Sequence, residues 1–286
     1  MALVGAGRVA TALGVLWTRA GHDVVAASGR EASRERVAHH LPDTAFEADP
    51  SRAAVAAETV VLGVRDDLIQ AMCSRVATEA SLRPGARVLH LSGSVSLAAL
   101  DSARDAGAAV LSLHPLLSIP DVATGIERLP GSGVAVTAED ESDVAFGEGL
   151  ARDAGARPFL LPDVVKPLYH AGAVFASNYL VAVEALAERI LLAAGVSDAQ
   201  SYLEPLARSA FDRTFALGPE AALTGPAVRG DAGTIERNLQ ALASAVPGAV
   251  AAYVALADAA TALAQGAGRI DEEQRRRVEE VLAPWR

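Results

Sequence analysis

Of the chain's 25 basic residues, 24 are arginine. The exception is Lys166, which opens the run Lys166-Pro167-Leu168-Tyr169-His170 and leads through apolar Ala171–Ala176 to Ser177-Asn178. An ammonium can be tuned to release a proton near neutral pH, whereas a guanidinium cannot. On a helix at about 100° per residue, Lys166, His170 and Ser177 fall within about 40° of one another, and Asn178 lies about 80° from His170. Pro167 suits a first helical turn. The result is a polar stripe on an apolar helix, placed for proton transfer. Reduction of a carbonyl or imine by hydride needs a donor beside the nascent oxyanion or amine, and lysine or histidine supplies one. Lys166, His170 and Asn178 are the candidate catalytic residues, with Ser177 beside them for substrate.

A hydride needs a carrier, and the start of the chain offers it a seat. Gly5-Ala6-Gly7-Arg8-Val9-Ala10 is a G-x-G-x-x-A pattern between a short strand and a helix. Gly5 permits the tight turn, Gly7 lets backbone approach a pyrophosphate, and the helix start at Arg8 and Val9 turns its positive dipole end toward the phosphates. An acid about 20 residues on would select NAD through the ribose 2′-hydroxyl. This chain has Ala26-Ala27-Ser28-Gly29-Arg30-Glu31 there. Ser28 and Arg30 suit a 2′-phosphate instead, so NADP(H) is expected ahead of NAD(H).

These residues need a scaffold. Short apolar runs at Ala2–Val4, Asp23–Ala27, Thr59–Val64, Arg87–Leu91 and Ala108–Leu113 alternate with helical stretches, the pattern of parallel βαβ units. Gly133–Thr137 and Pro158–Leu161 close the sheet. Ligands of such sheets collect beyond the carboxyl ends of the strands, which here read Gly5-Gly7, Ser28, Arg65-Asp66-Asp67, Ser92-Gly93-Ser94 and His114-Pro115. Arg65 and Ser92 join the cofactor set, His114 the substrate set, and Asp66 or Asp67 is expected to cap the next helix. After Pro162 no strand pattern appears. Helices are expected over 164–194, 198–216, 232–245, 249–265 and 272–282, which divides the chain into residues 1–162, binding a dinucleotide, and 163–286, all helical. Within the second part, Thr224-Gly225-Pro226 and Arg229-Gly230-Asp231 interrupt the helices. Asp231 is expected to cap a helix, and Arg229 to pair with an acid or bind a substrate carboxylate.

Composition excludes other classes. The net charge of −10 opposes general binding to nucleic acid or anionic membranes. The single cysteine, Cys73, allows no intrachain disulfide. His90, His114 and His170 lack a carboxylate or cysteine partner at ligand spacing, so no metal is expected. The first residues run straight into the glycine loop without a leader pattern, and the apolar stretch 241–264 is interrupted by Pro247, Gly248 and Asp258. The expected compartment is the cytoplasm.

The chain resembles bacterial Rossmann-like proteins that carry a helical C-terminal domain of unknown function and are assigned as NADP oxidoreductases of the deazaflavin-dependent type. The segments that carry the resemblance are Gly5-Ala6-Gly7-Arg8-Val9, Leu91-Ser92-Gly93-Ser94, Leu113-His114-Pro115-Leu116, Tyr169-His170-Ala171 with Ser177-Asn178, and Leu223-Thr224-Gly225-Pro226 with Arg229-Gly230-Asp231. The layout is similar, more distantly, to pyrroline-5-carboxylate reductase, ketopantoate reductase and the β-hydroxyacid dehydrogenases. The resemblance implies an α/β Rossmann-like parallel sheet domain followed by an all-α domain that forms a homodimer. It also departs from one relative: β-hydroxyacid dehydrogenases place an asparagine four residues after the catalytic lysine, where this chain has His170. The expected function is an NADP(H)-dependent oxidoreductase acting on a small carbonyl or imine compound. The alternatives are a dinucleotide-binding sensor or scaffold without turnover, and an NADP oxidoreductase whose hydride partner is a deazaflavin.

Overall fold

The computed structural model describes residues 1–80 and 82–286. By contacts the chain divides into two compact units, Met1–Ser177 and Asn178–Arg286.

The first unit is built on eight strands: β1 (Ala2–Val4), β2 (Ala26–Ser28), β3 (Ala45–Glu47), β4 (Thr59–Leu62), β5 (Arg87–His90), β6 (Ala109–Pro115), β7 (Gly133–Ala138) and β8 (Arg157–Leu160). Their order in the sheet is β3-β2-β1-β4-β5-β6-β7-β8. All neighbours pair in parallel except β6 and β7, which run antiparallel. The crossovers are α1 (Arg8–Arg19), α2 (Glu31–His40), α3 (Pro50–Ala54), α4 (Ile69–Glu79), α5 (Asp101–Asp105), α6 (Val122–Arg128) and α7 (Glu141–Asp153), and α8 (Lys166–Ala176) follows β8. The sequence pattern had not marked β3, α3 or α6, which have three, five and seven residues, too few to establish a period. Strand order reverses between β1 and β4, and in open α/β sheets a crevice opens at that point.

Alternation along the buried strands builds two cores. Leu3, Leu89, Leu111 and Leu113 face a cluster that includes Leu13, Trp17 and Leu150. Val4, Val60, Val88 and Val110 face the other, with Ile69, Cys73 and Leu100. Trp17 is fully buried, and its indole N–H donates to the Leu150 carbonyl at 2.8 Å, which ties α1 to α7.

The second unit contains α9 (Asn178–Ala193), α10 (Ala199–Leu217), α11 (Pro219–Ala222), α12 (Ala232–Ala245), α13 (Val250–Gly266) and α14 (Glu272–Leu282). Ile235, Leu239, Val254, Val278 and Leu282 form the core where α12, α13 and α14 meet. Asp231 caps α12 by accepting from the Thr234 N–H, and Asp271 with Gln274 forms a capping box on α14. Pro247-Gly248 falls at the first turn leading into α13, not inside it. The stretch 241–264 is interrupted where α12 ends at Ala245 and Val246 leaves helical geometry (φ −143°, ψ 65°). Pro247–Gly266 by itself has mean hydropathy 1.4 and passes for a membrane-spanning helix by length and composition alone. It carries Asp258 and Thr261 and packs against α12 and α14.

Trp17→Ala is expected to lower the stability of the fold by about 3–5 kcal/mol. Trp17→Phe keeps a ring but loses the indole bond to the Leu150 carbonyl, which still accepts from the Ala154 N–H at 3.1 Å, and is expected to cost about 1 kcal/mol. Urea unfolding of both variants measures the two effects.

Candidate active site

At the end of β1, Gly5 adopts φ +83°, and a Cβ there would lie 2.4 Å from Val64 Cγ1. Across the switch point, a Cβ on Gly63 would lie 2.6 Å from the Gly5 carbonyl oxygen. Only glycine lets these strand ends come so close. The Gly5 and Ala6 N–H groups both donate to the Ser28 carbonyl, at 3.1 and 2.8 Å. Helix α1 then starts at Gly7 with no side-chain cap and no acid in its first turn. Its first N–H groups, at exposed Arg8 and half-buried Val9, are left for an outside acceptor.

Beside this loop lies a cleft of about 450 Å³, lined by Gly5, Gly7, Ser28, Arg30, Gly63 and Arg65 among others. The Ser28 hydroxyl is buried there without a hydrogen-bond partner. Glu31, a possible neighbour for Arg30, pairs with Arg34 instead. Among the described residues the exposed Arg30 guanidinium has no ion-pair partner. Arg65 differs: its Nε and Nη2 donate to the two carboxylate oxygens of Asp67, at 3.0 and 2.7 Å. An uncapped helix start, an orphaned hydroxyl and an unpaired guanidinium fit the phosphates of a dinucleotide.

Further along the strand ends a second group assembles. Val110, Ser112 and His114 alternate along β6 with the core leucines, so Ser112 and His114 share a face. His90, the register partner of Ser112, shares it too. Lys166, the first residue of α8, is 1% exposed, and its Nζ donates to Ser112 Oγ at 2.8 Å. Asp163 Oδ1 lies 4.0 Å from the same nitrogen. That carboxylate is fixed in turn by the Ser96 hydroxyl at 2.5 Å and the Leu97 N–H at 3.0 Å. His114 Nδ1 and the Tyr169 hydroxyl are 2.8 Å apart. The His170 ring centroid is 6.2 Å from that of His114, and His170 Nδ1 is buried without a partner. A Cβ on Gly93 would lie 2.7 Å from His114 ring atoms, so glycine is needed where the loop passes that ring.

Burial sets the electrostatics. It pushes the Lys166 amine down to about 8, against the pull of Asp163 and Asp66, which favour the ammonium. It lowers His90 to about 3, helped by the charges of Lys166 and His114. It lowers His114 to about 4, helped by His170 and Lys166 and opposed by Asp66. It raises Tyr169 to about 12. At neutral pH, His90 and His114 are therefore uncharged and Tyr169 keeps its proton. Of these four groups, Lys166 alone titrates close to neutrality.

The structure brings Lys166, His170 and His114 together, with Ser92 on the neighbouring strand end. The Ser92 hydroxyl is already committed, donating to Asp66 Oδ2 at 2.8 Å. Ser94 donates to the same oxygen at 2.9 Å. Asp66 and Asp67 thus serve Ser92, Ser94 and Arg65, and neither caps the following helix as expected. The helix expected over 164–194 is broken at Ser177 (φ −130°, ψ −67°), so the 100° count ends there. Ser177 ends the first unit. Asn178 opens α9 in the second unit, where Arg229 also lies, exposed on the turn Ala227–Arg229. Among the described residues no group of three His, Cys, Asp or Glu could hold a metal ion.

Sequence reasoning had not selected Ser112, Asp163 or Gly63. Each had a signal: Ser112 interrupts an apolar strand two residues before His114, Asp163 lies three residues before Lys166, and Gly63 ends the strand across the switch point.

Residues 1–115 match the Rossmann-like domain, and residues 132–260 match a domain of unknown function, DUF2520. No curated protein matches the chain. Among solved structures, a candidate NADP oxidoreductase from Bacteroides fragilis is 22% identical, with 91% of this chain and 96% of that one covered and a TM-score of 0.75. A protein from Thermotoga maritima is also 22% identical, with 92% and 98% covered and a TM-score of 0.71. An imine reductase from Myxococcus stipitatus, in complex with NADP+, is 16% identical, with 96% and 98% covered and a TM-score of 0.65. At these identities the likeness is one of fold.

The lowered Lys166 value has a stability signature. Between about pH 8 and the ordinary value of 10.5 the folded state holds fewer protons than the unfolded one. Wild-type stability relative to Lys166→Met is therefore expected to be flat below pH 8 and to rise through that window, by about 3 kcal/mol in all. Urea unfolding of both proteins from pH 7 to 10 checks the sign.

Proposed function

We propose that this protein, a Rossmann-like domain joined to a DUF2520 domain, is an NADP(H)-dependent oxidoreductase that reduces a small carbonyl or imine compound. The observation that carries this reading is the buried Lys166 amine, held by Ser112 and titrating at about 8, on the same sheet edge as an uncapped glycine-loop helix. The fold it shares with the Bacteroides protein and the NADP+-bound imine reductase supports it.

In this reading the dinucleotide supplies the hydride. The glycine loop and the first N–H groups of α1 take its pyrophosphate, and Ser28 and Arg30 take the 2′-phosphate. Lys166 Nζ, as the ammonium, gives its proton to the oxyanion or amine nitrogen left by hydride addition. Ser112 holds Lys166 Nζ in place by accepting from it, and Asp163 and Asp66 keep the ammonium populated near neutral pH. His114 and Tyr169, both uncharged, present polar atoms for orienting the substrate. His170 lies beside them, and Ser177 ends the same helix.

The reading extends to a homodimer formed through the helical unit. None of the 16 residues of α9 is buried, and Val181, Leu206 and Phe215 are 70, 67 and 86% exposed. Sedimentation at micromolar concentration is expected to show a dimer, and a monomer contradicts this part.

Reduction consumes the ammonium form, so kcat/KM is expected to be level below about pH 8 and to fall above it. Lys166→Arg keeps the charge but cannot give up the proton, and is expected to lose about 100-fold or more in kcat. Stopped-flow oxidation of NADPH against a panel of small oxo-acids, ketones and cyclic imines checks both. Full turnover by Lys166→Arg contradicts the assignment.

A further inference from the structure

Arg36, on α2, is half-buried and makes no ion pair among the described residues. Its Nη1 donates to the Ala6 carbonyl at 2.8 Å and lies 3.4 Å from Ser33 Oγ. Ala6 is the middle residue of the glycine loop. With the Gly5 and Ala6 N–H groups on the Ser28 carbonyl and the Gly7 N–H on the Gly5 carbonyl at 2.7 Å, Arg36 satisfies the remaining polar atom of the Ala6–Gly7 peptide. A glycine follows that peptide, so its rotation meets little steric resistance. Freed from Arg36, the peptide could turn its carbonyl oxygen toward the mouth of α1, where the exposed N–H groups await an anion. A carbonyl dipole aimed there opposes the field of the helix start.

We propose that Arg36 is a positioning residue for the pyrophosphate: by holding the Ala6 carbonyl back, it keeps the glycine loop in its anion-accepting form. This rests on the dinucleotide reading above. It separates two arginines, with Arg36 serving any ligand that carries the pyrophosphate and Arg30 serving only ligands with a 2′-phosphate.

The test is calorimetric titration of four probes, NADPH, NADH, ADP-ribose and adenosine 2′-monophosphate, into wild-type protein, Arg36→Met, Arg36→Lys and Arg30→Met. Losing a hydrogen bond from a charged donor predicts that Arg36→Met weakens NADPH, NADH and ADP-ribose by a common factor of about ten. For adenosine 2′-monophosphate, which has no 5′-phosphate to meet the glycine loop, the Kd is expected to stay within about twofold of wild type, well short of that loss. Arg36→Lys, which keeps a donor and the charge, is expected to recover most of the affinity. Arg30→Met is expected to do the reverse of Arg36→Met, weakening NADPH and adenosine 2′-monophosphate and sparing NADH. If Arg36→Met fails to fold, Arg36→Ala, which also removes the donor, carries the same test. Wild-type affinity for NADH and ADP-ribose in the variant overturns the Arg36 assignment and leaves the dinucleotide reading standing. A parallel loss of adenosine 2′-monophosphate also overturns it, because Arg36 then acts as a general charge. Failure of the wild-type protein to bind any of the four probes removes the dinucleotide reading and the Arg36 assignment with it.

Discussion

Taking a lysine amine out of water is costly, and the Lys166 amine is tolerated only because a hydroxyl and two carboxylates sit within its field. Ser112 receives its proton at 2.8 Å, and Asp163 and Asp66 offset part of the burial cost. Each of these partners is fixed by something else. Ser112 is set by the β5–β6 register, Asp163 by Ser96 and Leu97, and Asp66 by Ser92 and Ser94. The balance leaves the amine titrating near neutrality while His90 and His114 stay uncharged. Stronger pairing would hold it at an ordinary lysine value, and less would strip its proton in the physiological range.

The glycine loop obeys a constraint of the same kind with the sign of charge reversed. Its atoms are tied inward to Ser28 and Arg36, and the N–H groups left over belong to the start of α1. Both assemblies stand at the carboxyl ends of parallel strands of one sheet. At about 4.8 Å per strand, the three steps from β1 through β4 and β5 to β6 separate them by about 14 Å. Asp66, which follows β4 and receives Ser92 and Ser94 from the loop after β5, bridges the interval.

Much of this was legible in the chain. The G-x-G-x-x-A pattern, the alternation of strands with helices and the solitary lysine all point at places the structure uses. What escaped did so for physical reasons. The strand Ala45–Glu47 is too short for a period to show. The reversal of β7 depends on how α6 packs, which no local pattern records. The end of α8 at Ser177 has no proline or glycine to announce it; Ser and Asn favour such breaks only weakly. Ser112 interrupts an apolar strand, and the group it serves, the Lys166 amine, lies 54 residues further along the chain. Arg36 sits on a charged helix where nothing local distinguishes it from Arg34, because its partner is a carbonyl 30 residues away.

Because Lys166 is the chain's single lysine, its ionisation can be observed without mutation. Protein labelled with ¹³C-lysine gives one side-chain Cε resonance, and following it from pH 6 to 11 reads the amine directly. A midpoint near 8 is the predicted result. A midpoint at the ordinary lysine value of 10.5 would show an amine that is neither buried nor tuned, and would contradict its role as the proton donor.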